Sequence, residues 1–416
     1  MRSNNIGLLP AGVFEMTPDK TAFIRRVEET LLAVFTRWGY REIRTPAIEY
    51  LDTMSRGLGD DELDMAFKLV DRATGKLMVL RSDVTPQVAR MVSMAMSGIP
   101  LPLRLCYVAD VYRHADDPNH PRRELIHAGV ELVGVDDPQA DAEVLAVGAE
   151  ALAGLGMTGI RMSVGQVQYA RGLFKEAAFS TGTEDAVVTA ACRKDRGEME
   201  ILLDRERVDG RVADAVLALV ELSGTREVLD RARDLAPNDV CRGAIENLDE
   251  ILDLARIYGV GEEQITVDLG DLATFRYHTG AVFTGYVAGS GRAVLRGGRY
   301  DGLVEKYGRP APATGFGVDI LEAVEVTALS GTGDPAIDYL LVNRTGDRAG
   351  GLRMSVALRD KGKKVLCLIR DIPDRDLGAY ISAHRIGKVL VMEEGAGMTL
   401  YNPDTGEKEP FDPVDL

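Results

Sequence analysis

The run Arg296-Gly297-Gly298-Arg299-Tyr300-Asp301-Gly302-Leu303 places two adjacent glycines between two arginines and follows them with a tyrosine and a carboxylate. Glycine lets a backbone bend tightly and approach a ligand closely because it has no Cβ. Two interpretations fit this run taken alone. It can be a glycine-rich hairpin with a charged rim in solvent, or one wall of a ligand site with Tyr300 facing inward. The rest of the chain has to decide between them.

The bulk composition is that of a soluble globular protein. The chain has 416 residues, of which 45% are hydrophobic and 27% charged, and this length predicts two or three domains. No signal-like segment opens the chain and no apolar run approaches the ~18–20 residues of a membrane span. We therefore expect no contact with a membrane and a cytoplasmic location. The four cysteines are far apart, which favours buried thiols over disulfides.

The charge argues against nucleic acid as a partner. The formal net charge is −16, whereas affinity for nucleic acid comes largely from basic residues that neutralise phosphates. The histidines include no His-Glu-x-x-His pattern, although His114, His120 and His127 lie in one short stretch. We expect no metal site and no cofactor.

The pattern of apolar residues along the chain predicts an α+β protein. The predicted segments are an amphipathic helix over 18–38, strands over 102–112 and 125–135 with a long loop between them, a helix over 139–154, a helical insertion over about 168–258, and strands at 265–268, 282–287 and 293–295. A linker is expected at 326–333, and alternating strand and helix patterns predict a small α/β domain over 334–416. That last domain has 12 basic and 14 acidic residues, or net −2, so it offers no evident RNA-binding surface.

Two segments carry candidate binding residues near the middle of the first domain. In Leu80–Thr85 an extended backbone would place Asp83 and Thr85 on one face, where they can hold a ligand ammonium and a second polar group. The alternative is a helix cap in front of Pro86, and the two roles can coexist. Further on, Arg113 can clamp a carboxylate or phosphate bidentately.

The strand after Arg113 presents His127, Gly129 and Glu131 on one face, with Gly129 leaving room beside the other two. The alternative is an exposed hairpin held by salt bridges. A third segment has Tyr277 and His278 before a strand and is followed by the glycine run. Aromatic residues in such a place often only fill a core.

Taken in order and spacing, these segments resemble histidyl-tRNA synthetase and its relatives over about residues 7–325. The opening helix with Gly39-Tyr40-x-Glu42-Ile43-x-Thr45-Pro46 is similar to the class II synthetase dimerisation motif, and the Arg113–Glu131 hairpin is similar to the second class II motif. The stretches at Tyr277 and Gly297–Leu303 are similar to the two histidine-specific motifs. The domain at the end of the chain weakly resembles a shortened anticodon-binding domain.

The resemblance implies a class II synthetase-like antiparallel sheet flanked by helices over 1–325, a homodimer, and a pocket shaped for histidine. The positions that it assigns to the pocket are Asp83, Thr85, Arg113, His127, Glu131, Tyr277, His278 and Tyr300. The synthetases normally have glutamine at the position of His127 and tyrosine at that of His278.

Three departures from the synthetase pattern fall on the machinery that handles ATP. The glutamate that follows the motif-two arginine is replaced in Arg113-His114-Ala115. The arginine expected a few residues before the tyrosine pair is missing near Ala273 and Thr274, since Arg276 stands next to Tyr277. The third motif lacks its final arginine, and Glu322 stands in that part of the chain. Aminoacylation needs cations that stabilise a developing negative charge, and two of these departures remove an arginine. We therefore expect no catalytic residues and no aminoacylation.

A pocket without this machinery resembles that of the ATP phosphoribosyltransferase regulatory subunits, which are paralogues of the synthetase. That resemblance implies a non-catalytic subunit that partners the short form of the catalytic subunit in the first step of histidine biosynthesis and responds to histidine, with no tRNA bound. An active histidyl-tRNA synthetase is the alternative, and a free-standing histidine-binding or scaffold protein is a third.

Overall fold

A computed structural model of the chain describes residues 9–114, 122–180, 182–273, 275, 277–327, 329, 336–370, 372–394, 397–403 and 405–411. It divides into two compact units, Met1–Leu329 and Ser330–Leu416. Four residues invoked above (Ala115, His120, Thr274 and Arg276) and residues 328 and 330–333 of the expected linker lie outside the described residues.

The helices of the first unit are mixed with its strands along the chain, except between residues 167 and 257, where six helices follow one another with one short strand among them. They are α1 (Pro18–Arg37), α2 (Leu51–Met54), α3 (Asp60–Met65), α4 (Thr85–Ser93), α5 (Pro138–Gly154), α6 (Val167–Ala177), α7 (Thr183–Cys192), α8 (Arg196–Glu206), α9 (Gly210–Ala218), α10 (Val228–Leu235), α11 (Asp239–Ile257), α12 (Gly302–Glu305) and α13 (Ile320–Val326), with a short 3₁₀ helix at Glu262–Gln264.

The strands of the first unit form one large sheet and one small one. They are β1 (Arg41–Glu42), β2 (Ile48–Tyr50), β3 (Lys68–Val70), β4 (Leu77–Leu80), β5 (Leu103–Tyr112), β6 (Glu124–Val133), β7 (Arg161–Gln166), β8 (Ser223–Gly224), β9 (Ile265–Asp268), β10 (Ala281–Tyr286), β11 (Leu295–Arg299) and β12 (Ala313–Asp319). The large sheet has the order β1-β5-β6-β12-β11-β10-β7-β9-β8, and the small sheet has the order β2-β4-β3.

The large sheet is antiparallel except at two pairs, β1 with β5 and β7 with β9. One of its faces is covered by helices. Helix α1 buries a stripe at helical spacing, including Val27, Leu31 and Phe35, and the chain leaves the helix through Gly39, whose φ of +82° suits glycine. Helix α5 is alanine-rich and buried on nearly all sides, which lets it lie close to the sheet. The expected sheet flanked by helices is confirmed.

The glycine run does not form a hairpin turn. The strand expected at 293–295 begins at Leu295 and continues through both glycines to Arg299, so that Gly297 and Gly298 pair with β10 on one side and β12 on the other. The turn interpretation was wrong. Glycine is needed at these two positions because neighbouring residues pack close to the strand, and not because the chain bends there. A Cβ on Gly297 would lie 2.6 Å from atoms of Phe283 and Phe316, a distance that real Cβ atoms do not adopt.

Arg299 ties this strand to helix α5. Its side chain is 7% exposed, and its guanidinium lies 2.8 Å from the Asp141 carboxylate, which is 2% exposed. It also donates to the backbone carbonyls of Val135 and Asp137 and to Asp301. Arg299 is therefore a structural residue. Its neighbour Tyr300 points to the opposite face of the sheet.

Residues 168–258 are mainly helical, and the two-residue β8 is the one strand among the described residues of this stretch. Helices α6 and α11 pack against the same hydrophobic core as α5 and the large sheet. The segment that the sequence marks as an insertion thus shares the core of the first unit.

The second unit is a five-stranded sheet with two helices. Its elements are β13 (Ile337–Asn343), α14 (Arg348–Asp360), β14 (Val365–Cys367), α15 (Asp374–Ala383), β15 (Ile386–Glu393), β16 (Gly397–Tyr401) and β17 (Lys408–Pro410). The sheet order is β14-β13-β15-β16-β17, with the first three strands parallel and the rest antiparallel. Among the described residues, no helix is both long and apolar enough to cross a lipid bilayer.

We predict that Arg299→Met destabilises the first unit by about 3–5 kcal/mol, because removing one partner of a buried ion pair leaves the other charge without compensation. Urea unfolding followed by the fluorescence of Trp38, the one tryptophan of the chain, measures this change. Arg296→Met is the matched control. Its arginine is exposed on the same strand, and we expect a change within about 0.5 kcal/mol. Equal effects in the two variants would contradict the anchoring role of Arg299.

Candidate functional site

A cavity of about 740 Å³ opens on the face of the large sheet that α5 does not cover. We call it the central cavity. All eight residues assigned from the sequence line it: Asp83, Thr85, Arg113, His127, Glu131, Tyr277, His278 and Tyr300. They come from the start of α4, the β5–β6 hairpin, the segment before β10 and the end of β11.

The floor of the central cavity is built from glycines on adjacent strands. Strand pairing puts Glu131, Gly315 and Gly298 in one row across β6, β12 and β11. The next row contains Gly129 and Gly317. Directly paired residues of an antiparallel sheet point to the same face, so four glycines form a block without side chains in which the larger residues at the edges can approach one another.

Three of the four floor glycines make room for a named side chain. A Cβ on Gly129 would lie 2.5 Å from the Tyr107 hydroxyl, and one on Gly298 would lie 2.5 Å from the His278 ring. A Cβ on Gly315 would collide with the Glu131 carboxylate, whereas one on Gly317 would only contact the Tyr107 hydroxyl at 3.6 Å. Three of the glycines are therefore required by the close approach of their neighbours.

Glu131 is the hydrogen-bonding centre of the inner end of the cavity. It is 1% exposed and accepts from the Thr85 hydroxyl at 2.8 Å and from the Tyr300 hydroxyl through a short bond. Burial raises the pKa of Glu131 to about 8, while the two hydroxyls oppose the shift and the charge of Asp83 adds to it. Such a carboxyl gains its full charge when a ligand supplies an N–H or a cation.

Asp83 lies at the cavity and just before helix α4, but it is not the helix cap, because the N-cap of α4 is Val84 and has no side-chain cap hydrogen bond. Asp83 lines the cavity, and its carboxylate accepts from the backbone N–H of Thr85 at 3.0 Å at the start of α4. Because Thr85 belongs to the first turn of that helix, the bond fixes Asp83 and Thr85 relative to each other.

His127 and Arg113 form the side of the cavity beyond Gly129. Burial lowers the pKa of His127 to about 4, the charge of Arg113 lowers it further, and Asp83 opposes the shift. The imidazole is therefore neutral at neutral pH and can both donate and accept a hydrogen bond. Arg113 has no carboxylate partner within the described part of the chain and supplies a fixed positive charge to the cavity.

Tyr277 closes the inner end opposite Glu131. Its ring lies 5.7 Å from that of Tyr300 and 5.2 Å from that of His278. Its hydroxyl is buried and has no hydrogen-bond partner among the described residues, which makes it available to a ligand. His278 is itself 7% exposed and packs over Gly298.

The outer end of the cavity is occupied by an ion pair. The Arg122 guanidinium lies 2.9 Å from the Glu322 carboxylate and contacts Glu325 through its other nitrogen. Glu322 is thus paired where a synthetase would present its third-motif arginine. Ala273 does not line the central cavity but a neighbouring cleft.

Among the cavity residues that sequence reasoning missed are Tyr107 and Arg296. Tyr107 is fully buried and lies over Gly129, and the alternation of β5 was the signal that could have found it. Arg296 lines the cavity from β11. The turn interpretation placed no strand there, so it could not predict which face of the sheet Arg296 lies on. In the part of the chain that the structure describes, no group of three or more metal-binding side chains comes together.

A smaller cavity of about 320 Å³ lies among the helices α8, α9 and α10. Its charged residues bind one another, since Glu221 accepts from Arg196 at 3.1 Å and from Arg231 at 2.6 Å. Its polar groups are therefore less available to a ligand than those of the central cavity. The central cavity is the candidate site.

We predict that the free energy of unfolding decreases from pH 6.5 to pH 8. Glu131 holds its proton in the folded state up to about pH 8 but loses it near pH 4.5 when unfolded, so its stabilisation is full below pH 4.5 and is lost as the pH rises to 8. His127 acts oppositely, and its stabilisation is lost only as the pH falls from 6.5 to about 4.

Urea unfolding at pH 6.5, 7.2 and 8.0 checks this pH dependence. The contribution of Glu131 has a slope of at most about 1.4 kcal/mol per pH unit, and Glu131→Gln should remove it. Glu305→Gln, at an exposed position, is the matched control and should keep the wild-type slope. A wild-type slope in Glu131→Gln would show that Glu131 does not bind the proton.

Comparison with known proteins identifies the family of the chain. The family model of histidyl-tRNA synthetase matches residues 12–323. The chain is 42% identical to the ATP phosphoribosyltransferase regulatory subunit of Syntrophotalea carbinolica, covering 94% of this chain and 91% of that protein. It is 39% identical to the subunit of the same name from Geobacter sulfurreducens, covering 92% and 87%.

Two solved structures have the same fold. One is an ATP phosphoribosyltransferase regulatory subunit/histidyl-tRNA synthetase from Bacillus halodurans C, with a TM-score of 0.82, 27% identity, and coverage of 94% of this chain and 99% of that one. The other is histidyl-tRNA synthetase from Nostoc sp. PCC 7120, with a TM-score of 0.79, 17% identity, and 96% of each chain covered. The chain belongs to the family of ATP phosphoribosyltransferase regulatory subunits, built on the histidyl-tRNA synthetase fold.

Proposed function

We propose that this chain is a non-catalytic subunit that joins the short-form catalytic subunit of ATP phosphoribosyltransferase, enables the first step of histidine biosynthesis and makes that step responsive to histidine. The proposal includes a homodimeric core within a hetero-oligomer, no bound tRNA, and a cytoplasmic location, which the widely spaced cysteines favour. The observation that carries it is the central cavity, whose inner end keeps open hydrogen-bonding groups while its outer end is occupied by the Arg122–Glu322 ion pair.

Histidine is the ligand that fits the inner end best. Its imidazole can donate to Glu131 and meet the Tyr277 hydroxyl, which has no other partner among the described residues. Its ammonium suits Asp83 and Thr85, and its carboxylate suits Arg113. Each group of the ligand thus finds a complementary group at a position that the fold already fixes, which limits the ordering cost of binding.

The outer end is poorly suited to ATP. Binding a triphosphate there would require displacing Arg122 from Glu322 and Glu325 and would bring phosphates near two carboxylates. Phosphoryl and adenylyl chemistry depends on positive charge held in place before the reaction. The arrangement therefore supports recognition without turnover, and it disfavours an active synthetase.

Control by histidine requires that histidine bind two states of the complex with different affinity. The residues that we propose to contact histidine include Glu131 on β6 and Asp83 and Thr85 at the start of α4, and both elements belong to the body of the first unit. We propose that the ligand acts by fixing the position of these elements in one of the states.

We predict that the short-form catalytic subunit gains activity and co-elutes when it is co-expressed with this chain. The measurements are size-exclusion chromatography and the rate of phosphoribosyl transfer to ATP. A catalytic subunit that is fully active and elutes separately without this chain would refute the proposal. The same purified chain should show no ATP–pyrophosphate exchange with histidine, and robust exchange would establish the synthetase alternative.

We predict that Glu131→Ala and Asp83→Ala each weaken histidine binding by at least about tenfold, because each removes a hydrogen bond to a charged group inside the cavity. Isothermal titration of the chain with histidine measures the change, and Trp38 fluorescence verifies folding. Glu305→Ala, an exposed carboxylate on α12, is the control. Wild-type affinity in both cavity variants would place the histidine site elsewhere.

A further inference from the structure

Two aromatic residues at the inner end of the central cavity, Tyr277 and His278, stand on a segment without regular secondary structure. The described residues between Leu269 and Gly280 belong to no helix or strand, and the chain joins β10 at Ala281. Backbone carbonyls outside a helix or sheet ladder need other hydrogen-bond partners. The groups that supply those partners therefore determine where the two rings lie.

Arg171, on helix α6, binds this segment on both sides of Tyr277. One terminal nitrogen of its guanidinium donates to the Phe275 carbonyl at 2.9 Å and to the His278 carbonyl at 2.8 Å. The guanidinium carbon also lies 5.0 Å from the centroid of the Phe275 ring, and that ring makes an edge contact with Phe174, three residues further along α6. The backbone that carries the Tyr277 ring is thus fixed to α6 by hydrogen bonds and by ring packing.

The end of the segment nearest to β10 has anchors of its own. The Gln168 side chain donates to the Thr279 carbonyl at 2.6 Å, and the Val167 N–H donates to the Gly280 carbonyl at 3.1 Å. The Thr279 hydroxyl donates to the Asp301 carboxylate at 3.0 Å and accepts from the Asp301 N–H at 2.9 Å. This end is therefore held by α6 on one side and by the residue before α12 on the other.

Arg171 itself stands outside the central cavity. It is not one of the lining residues, and its hydrogen bonds among the described residues go to the two carbonyls named above. A guanidinium presents its donors in a rigid planar fork, so two carbonyls that share one nitrogen are held at a fixed separation. A flexible or apolar side chain of similar length could fill the same space but could not fix that separation.

We propose that Arg171 is a positioning residue of the histidine site, which fixes the backbone around Tyr277 and thereby aims the Tyr277 hydroxyl at the ligand without touching the ligand itself. The Tyr277 hydroxyl has no hydrogen-bond partner in the described chain, so its direction depends on its backbone and on ring contacts. A group that is held in place before binding lowers the ordering cost of binding. The inference rests on the proposed function and brings the first helix of the helical segment 167–257 into the site.

Arg171→Met should weaken histidine binding by at least about fivefold, because the Tyr277 hydroxyl then has to be ordered when the ligand binds. Arg171→Lys keeps the charge but not the planar fork, so its affinity should lie between those of wild type and Arg171→Met. Lys175→Met removes an exposed cation one turn further along α6 and is the matched control, with wild-type affinity. Isothermal titration with histidine measures these affinities. Arg171→Lys carries the same comparison with wild type if Arg171→Met does not fold, which Trp38 fluorescence in urea shows.

A double-mutant cycle with Tyr277→Phe separates positioning from a merely structural role. If Arg171 acts through the Tyr277 hydroxyl, Arg171→Met should weaken binding by less than about twofold further in the Tyr277→Phe chain, since effects on coupled residues do not add. A merely structural arginine would lower the free energy of unfolding and leave the affinity unchanged. An affinity loss that is as large in Tyr277→Phe as in wild type would contradict the proposed route through Tyr277.

Hydrogen exchange of the chain without histidine tests the same placement independently of any ligand. In Arg171→Met the backbone amides of residues 277–280 should exchange at least about tenfold faster than in wild type, because local opening of the segment costs less. The inference is overturned if exchange there is unchanged, or if Arg171→Met and Arg171→Lys bind histidine as wild type does. A wild type that binds no histidine would refute the proposed function, and the exchange rates alone would then decide whether Arg171 fixes the segment.

Discussion

The close approach of β6, β12 and β11 is the constraint on which the rest of this structure depends. Glu131, Tyr107 and His278 can lie over the sheet only because their neighbours Gly315, Gly129 and Gly298 have no side chains. Any Cβ at these positions would lie closer to a neighbouring atom than real contacts allow. This face of the sheet therefore lacks side chains at these positions, and the exposed backbone forms the floor of the cavity.

The opposite face of the same strands compensates for that loss. There Gly297 admits Phe283 and Phe316, helix α5 packs against the sheet, and Arg299 binds the buried Asp141. The run around Gly297 and Gly298 thus contributes to both sides of the sheet. Arg299 anchors the strand to α5. The Tyr300 hydroxyl reaches the cavity, where it donates to Glu131.

The electrostatics of the cavity follow from this arrangement. Burial raises the pKa of Glu131 and lowers that of His127, so the inner end tends towards neutral groups that a ligand can polarise. The outer end is different because Arg122 is already compensated by Glu322 and Glu325. A protein that binds a ligand without transforming it needs the neutral groups of the inner end. It does not need a free cation at the outer end.

The sequence by itself determined many of the residues that meet at the cavity. Spacing along strands and a resemblance spread over four motifs selected eight of the residues that line it, since residues two apart on a strand share a face and the family order supplies the strand neighbours. The pattern of apolar residues also located α1 and α5 to within one residue at each end.

Only the tertiary structure decided how the glycine run is used and what lies at the outer end. A glycine required by a bend and one required by a neighbouring side chain look the same in sequence, and the difference appears only when β10 and β12 are in place. The pairing of Arg122 with Glu322, 200 residues apart, depends on the docking of α13 beside the β5–β6 hairpin. The exposure of Ile48 and Tyr50 on the small sheet has the same origin, because exposure is a property of packing between distant segments and no local pattern records it.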